Sequence, residues 1–133
     1  MNNSLENLYL DAFGYIRDIS YFKDIIKIYD ENNIIIGSVG IEKDYNDIIV
    51  LTALCVLKKY RNNGVATRIL NIIYEKYKNI PIFLYIDKDN KNYEYLVNFY
   101  NKRGFISLYN INNLPININY NPDIELLLYN KNE

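Results

Sequence analysis

Val56-Leu57-Lys58-Lys59-Tyr60-Arg61-Asn62-Asn63-Gly64-Val65-Ala66 joins an apolar run to an amphipathic one, and its reading decides the fold. Upstream, Ile48 to Leu57 is apolar on both faces, as a central strand covered on each side must be. Downstream the period changes from two to 3.6. Val65, Ile69, Ile72, Ile73 and Tyr77 form one stripe with Arg68, Glu75 and Lys76 opposite, which predicts a helix from about Gly64 to Lys78. A strand that runs through a glycine turn into a helix start makes an anion site. The first N–H groups of the helix lack partners and its dipole leaves partial positive charge there. Gly64 lets a ligand approach the backbone, Ala66 keeps the next turn slim, and Lys58, Lys59, Arg61 and Arg68 gather positive charge. The spacing is neither that of a P-loop nor that of a dinucleotide fingerprint.

Outward from this junction the chain alternates between strands and helices. Ile82 to Ile86 reads as a short strand after Pro81, so that residues 48–86 make a strand-helix-strand unit with a parallel pair and a right-handed crossover. A second helix, roughly Asn92 to Arg103, carries Tyr93, Leu96, Val97 and Tyr100 on one face, with Gly104 at its C-terminal cap. Phe105 to Tyr109 and Ile124 to Tyr129 are expected to pair antiparallel around a loop from Asn110 to Asp123. Before the junction, Ile25–Tyr29 and Ile34–Ile41 flank the turn Asp30-Glu31-Asn32-Asn33 as a hairpin. At the start, Leu5, Leu8, Tyr9, Ala12 and Phe13 recur at helical spacing behind Ser4. The expectation is a single domain over residues 1–133, with no linker and no internal repeat.

Composition limits the chemistry. Half of the 133 residues are hydrophobic and the formal net charge is −1, so nothing draws the whole chain to nucleic acid or an acidic membrane. The abundance of Ile, Asn, Lys and Tyr is that of an AT-rich genome, which lowers the information carried by any single Tyr or Asn. The absence of His excludes a Ser-His-Asp triad and His-based metal sites. The one cysteine, Cys55, lies within the apolar run with no His to activate it, and reads as inert packing. No signal peptide and no run of membrane-spanning length is visible, which leads to a cytoplasmic expectation without a membrane partner.

The junction resembles the acyl-CoA-binding motif of the GNAT superfamily of N-acetyltransferases, [Arg/Gln]-x-x-Gly-x-[Gly/Ala] after a Leu-x-Val strand end. Arg61, Gly64 and Ala66 occupy the defining positions, and Leu54 and Val56 the strand positions. Asn98-Phe99-Tyr100-Asn101-Lys102-Arg103-Gly104-Phe105 is similar to the family's second motif, a helix ending Tyr-x-x-x-Gly-Phe. The resemblance covers about residues 24 to 130. It implies the GNAT acyl-CoA N-acyltransferase fold: an α/β (α+β) mixed central sheet with antiparallel N-terminal strands, a parallel β-α-β pair and flanking helices.

The resemblance also implies roles. Backbone N–H groups of Arg61, Asn62, Asn63, Gly64, Val65 and Ala66 would hold the pyrophosphate of acetyl-CoA, the acyl-donor co-substrate. Backbone groups of Leu54 and Val56 would meet the pantetheine arm, an N–H near Leu54 polarising the thioester carbonyl. Asn98 and Lys102 join the expected cofactor contacts. Asn92 is an alternative to Asn98 because Tyr93 stands where many relatives carry an Asn. Tyr100 matches the general acid for the departing thiolate, although packing would equally place a Tyr on that apolar stripe. The general base stays open among Glu42, Asp44, Asp47 and Asp87, and Val50 stands where histone-type relatives carry a catalytic Glu. Tyr85 is open between acceptor channel and core. The expected partners are acetyl-CoA and a primary amine, with no metal and no nucleic acid, in a monomer or homodimer. A short N-terminal segment suggests an open cleft for a protein or peptide amine or a polyamine, and acidic residues there would favour a cationic acceptor. A catalytically inactive acyl-CoA-binding relative and a nucleic-acid module using Lys58, Lys59 and Arg61 are the competing readings.

Overall fold

A computed structural model of the chain describes residues 4–43, 48–107 and 123–129. The chain divides into two compact units, Met1–Lys43 with Leu51–Asn79 and Asp44–Val50 with Ile80–Glu133.

The first unit begins with helix α1 (Ser4–Phe13), whose Leu5, Leu8 and Tyr9 are buried against Ile35 and Cys55. Strands β1 (Phe22–Tyr29) and β2 (Ile35–Lys43) form the expected hairpin. Its turn is held by Asp30, whose carboxylate accepts the N–H groups of Asn32 at 2.8 Å and Ile34 at 3.0 Å, while Asn33 takes φ 64°. An Asp that caps its own turn and an Asn that tolerates positive φ are the local chemistry of such a bend. Strand β3 (Ile49–Val56) follows β2 in the order β1-β2-β3, and helix α2 (Val65–Lys76) completes the unit. Gly37 lies under α2. A Cβ on it would come within 2.7 Å of Val65 Cγ1 and 3.0 Å of Ile69 Cδ1. Each fully buried aliphatic side chain of this kind, Leu8 and Ile73 included, contributes about 1.5–3 kcal/mol.

The α2 stripe differs from expectation in one place. Ile72 is 36% exposed whereas Leu70 is 1% exposed, so the inward face runs Val65-Ile69-Leu70-Ile73-Tyr77. At about 100° per residue, Leu70 lies about 60° around the axis from Ile73 and Ile72 about 100° to the other side, so the buried face rotates away from Ile72. Gly64 caps the helix instead of belonging to it, and the last turn ends at Lys76.

In the second unit, the first residues of β3 pair in parallel with β4 (Ile82–Asp87): Ile49 with Ile82 and Val50 with Phe83. Helix α3 spans Tyr93–Asn101, and β5 (Phe105–Ser107) and β6 (Ile124–Tyr129) are antiparallel. β6 lies between β4 and β5, in the order β3-β4-β6-β5. The expected parallel pair and final antiparallel pair are thus both present. The core here is Ile82, Phe83, Leu84, Ile86, Tyr100, Phe105 and Leu127, all buried.

Gly104 closes α3 at φ 97°, and a Cβ there would stand 2.8 Å from the Tyr129 ring. Gly104→Ala is therefore expected to destabilise the protein by about 2 kcal/mol, combining left-handed strain with displacement of that ring. Urea unfolding with an unchanged m-value checks it. A loss below about 0.5 kcal/mol would show that the ring yields freely.

Candidate functional site

The loop leaving β3 is built by side chains that return to their own backbone. Lys58–Tyr60 form one 3-10 turn, closed by Tyr60 N–H on the Leu57 carbonyl at 2.9 Å. Arg61 is extended (φ −68°, ψ 155°), and its Nε donates to the Val56 carbonyl at 3.1 Å, pinning the loop to the strand it leaves. The Asn63 carboxamide donates to the carbonyls of Tyr60 at 3.4 Å and Arg61 at 3.3 Å. Two further ties come from elsewhere in the unit. Tyr60 donates its hydroxyl to Asp30 at 3.2 Å, and Asp11 accepts the N–H of Lys58 at 2.8 Å. Backbone N–H groups hold the Asp30 carboxyl below its ordinary range, first that of Ile34.

Asn62 (φ 66°) and Gly64 (φ 82°) are both left-handed. Two left-handed residues within three make a tight turn immediately before the helix start, a place where backbone N–H groups can meet an anion. Gly64 supplies no side-chain hydrogen bond to α2, and the first helical bond runs from Arg68 N–H to the Gly64 carbonyl at 3.0 Å. An open groove of about 870 Å³ continues from this point along α2, lined by Gly64, Thr67, Arg68, Asn71, Ile72 and the Glu75/Lys76 pair. The exposed Ile72 thus faces the groove. Lys76 is engaged at the far end, where Asp24 accepts its ammonium at 2.5 Å and the Tyr77 hydroxyl at 3.1 Å.

One strained residue stands just before the expected cofactor positions. Ala53 takes φ 55° in the middle of β3, a conformation costing an alanine about 1–2 kcal/mol. A left-handed residue inside a strand departs from the regular ladder, and the backbone of Leu54 follows directly after it. Leu54 is half-buried and Val56 buried. Cys55 is buried, and burial pushes its thiol up to about 12, so it cannot supply a thiolate. The expected cofactor loop and strand end, residues 54, 56 and 61–66, all lie in the first unit.

The remaining expected residues, Glu42 excepted, lie in the second unit. Tyr100 is buried on α3, meeting Phe99 edge-on with centroids 5.1 Å apart and Phe105 at 5.5 Å. Asn98 and Lys102 are exposed, one helical turn apart, with Lys102 N–H donating to the Asn98 carbonyl at 3.1 Å. Tyr93 donates its hydroxyl to Glu125 at 2.7 Å, and Glu125 also accepts the Ser107 hydroxyl. That hydrogen bond is the main cause raising the Tyr93 phenol above its ordinary range. Glu125 is a buried carboxylate that the strand pattern alone did not single out. Of the open base candidates, Glu42 is half-buried and Asp87 exposed, accepting the Asp89 N–H at 2.9 Å. Asp44 and Asp47 lie outside the described residues. Tyr85 is 50% exposed and therefore not core.

Thr67 and Asn71 were legible in principle, since the period that buries Val65, Ile69 and Ile73 places 64, 67, 68 and 71 together opposite them. Ala53 carried no sign, because alanine is not a residue that favours positive φ.

Comparison with known proteins agrees with this layout. The model of the acetyltransferase (GNAT) domain matches residues 21–112. Compared with curated proteins, the sequence matches none. Among solved structures, an Arabidopsis thaliana protein held with the bisubstrate analogue CoA-Ac-MVNAL is 25% identical, with TM-score 0.63, covering 93% of this chain and 87% of that one. A protein from Pyrococcus horikoshii OT3 gives TM-score 0.70 at 15% identity, covering 98% and 90%. A GNAT-family acetyltransferase from Staphylococcus aureus Mu50 gives 0.59 at 21% identity, covering 78% of this chain and 65% of that one, so the chain spans just under two thirds of that relative's length. The family model alone covers well over half the sequence, and with the fold it settles the assignment: this chain belongs to the GNAT acetyltransferase family.

Proposed function

We propose that residues 1–133 act as one N-acetyltransferase domain that moves an acetyl group from acetyl-CoA to a primary amine by direct attack. The observation that carries this is the left-handed turn at Asn62 and Gly64 before the start of α2, where no side chain caps the first N–H groups, flanked in sequence by Lys58, Lys59, Arg61 and Arg68. Backbone N–H groups of residues 61–66 take the pyrophosphate, where helix dipole and local cations favour its charge. The groove along Thr67, Arg68, Asn71 and Ile72 suits the nucleotide end of the same molecule. The similarity to a protein solved with a CoA–peptide bisubstrate analogue supports this choice of donor.

The left-handed Ala53 supports an oxyanion role for the Leu54 N–H, since an irregular position in a strand is where a backbone donor is turned toward a ligand. The amine lone pair forms the C–N bond as the C–S bond breaks. The thiolate takes a proton from the Tyr100 hydroxyl, and the ammonium proton leaves to a carboxylate or water. Asn98 and Lys102 complete the donor contacts in this reading, and the acceptor is a protein or peptide amine or a polyamine. The residues present act by positioning and charge stabilisation, with no nucleophile of their own.

Acetyl-CoA at about 100 times its dissociation constant is expected to stabilise the protein by about 2.7 kcal/mol, read as a rise in Tm. Mixed amines are expected to release free CoA thiol from acetyl-CoA. Stabilisation without thiol release would mark a binding protein that has lost the chemistry. Absence of both, at millimolar acetyl-CoA, would sink the proposal.

A further inference from the structure

The first unit holds a second polar cluster, on the α1 side of β3. Arg17 is half-buried, and its guanidinium sits 5.0 Å from the centroid of the Phe13 ring. Its one hydrogen bond among the described residues is to Thr52 Oγ1 at 3.5 Å, the outer limit for such a bond. Among the described residues it forms no ion pair. Its neighbour Asp18 accepts the Ser20 N–H instead, and Asp11 accepts that of Lys58. A guanidinium has five donors arranged as a fork, so among the described residues most of this one's capacity is unfilled.

Tyr9 stands beside it in the α1 core with its ring 1% exposed, and its hydroxyl has no hydrogen-bond partner among the described residues. A buried hydroxyl left without a partner calls for an explanation, because burial costs it its water. Burial raises the Tyr9 phenol, the nearby Cys55 adds to that, and the Arg17 charge draws it back down. Cation and buried hydroxyl therefore share one electrostatic neighbourhood, and the half-buried cation is the one of the two that an oxygen anion can reach.

The placement along β3 says which anion. Thr52 directly precedes the left-handed Ala53, and Leu54 follows it. Two residues of chain span at most about 7 Å, whatever the turn at Ala53. Exposed Tyr15 and Ile16 lie next to Arg17 in the chain and add apolar surface, while the guanidinium repels a polycation.

The geometry points to Arg17 as an acceptor-specificity residue: it receives a carboxylate carried about two residues from the reacting amine of a short peptide. This rests on the acetyltransferase reading above and narrows its acceptor, selecting an acidic peptide over a polyamine. The carboxylate can be the C-terminus of a dipeptide or the side chain of an acidic second residue. Both present the same two oxygens to the fork.

Thiol release from acetyl-CoA tests this with two matched pairs and one polyamine. The first pair is dialanine and its amide, the second a C-amidated tripeptide with glutamate or glutamine second, and the polyamine is spermidine. The expected result is a preference of about tenfold or more in kcat/KM for the carboxylate member of one pair, and that pair identifies the source. Arg17→Gln is expected to bring the ratio to about one, and Arg17→Lys to keep most of it, with KM for the peptide moving more than kcat. A wild-type ratio near one, a preference for spermidine, or a ratio unchanged in Arg17→Gln overturns the inference. If acetyl-CoA stabilises the protein and other amines release thiol, only this inference fails. If neither occurs, the acetyltransferase reading fails with it.

Discussion

Gly64→Val is expected to abolish the thermal stabilisation by acetyl-CoA and to lower kcat/KM by about 100-fold or more, while costing the unliganded protein only about 2 kcal/mol. The two effects separate because of where the glycine sits. At φ 82° any L side chain is strained, and a β-branched one most of all. Yet a Cβ at this position meets no atom of the described residues within 4 Å, so no collision with them adds to the strain. The new side chain projects away from the described residues at the start of α2, where the proposal above puts the ligand's phosphates. Gly14 provides the control. It has φ 83°, no atom of the described residues within 4 Å of a Cβ, and a place at the end of α1. Gly14→Val is expected to show the same strain and to keep the acetyl-CoA shift. Equal retention of the shift in both variants would remove the phosphate role from residues 61–66.

Tyr100→Phe is expected to lower kcat by about 100-fold, with the acetyl-CoA dissociation constant changed less than about threefold. The ring is buried edge-on against Phe99 and Phe105, and phenylalanine keeps that packing. Stability should therefore fall by no more than about 1–1.5 kcal/mol, the scale of one hydroxyl's hydrogen bond. A phenol is matched in proton affinity to a thiolate leaving group more closely than a carboxylic acid is. The loss should thus shrink with an acyl donor whose thiol is more acidic, because a better leaving group needs less help. Unchanged turnover in Tyr100→Phe would assign the residue to packing alone.

Much of the architecture could be read from short-range pattern. The apolar run 48–57, the helix after Gly64 and the strand after Pro81 all appear, because each depends on side chains within one or two turns of one another. The α2 stripe was off at Ile72 and Leu70 because a period of 3.6 leaves the flank of a helix undecided until its neighbour is present. Tyr93 looked like the loss of an expected Asn. In the structure it is the donor to a buried carboxylate on β6, 32 residues away in sequence.

The sequence by itself determined the element order, the glycine turn ahead of α2, the burial of Cys55 and the family motifs at 54–66 and 100–105. These follow from residue type and local spacing, where one residue's conformational freedom or one helical period suffices. Tertiary structure alone decided four other things: the left-handed Ala53, the return of Arg61 to Val56, the Arg17–Thr52 contact across 35 residues, and the Glu125 pairings. Alanine has no intrinsic preference for that φ, and no arginine reveals its acceptor in advance. Such features exist only once packing of distant segments outweighs local preference, holding a residue where its own chemistry would not place it.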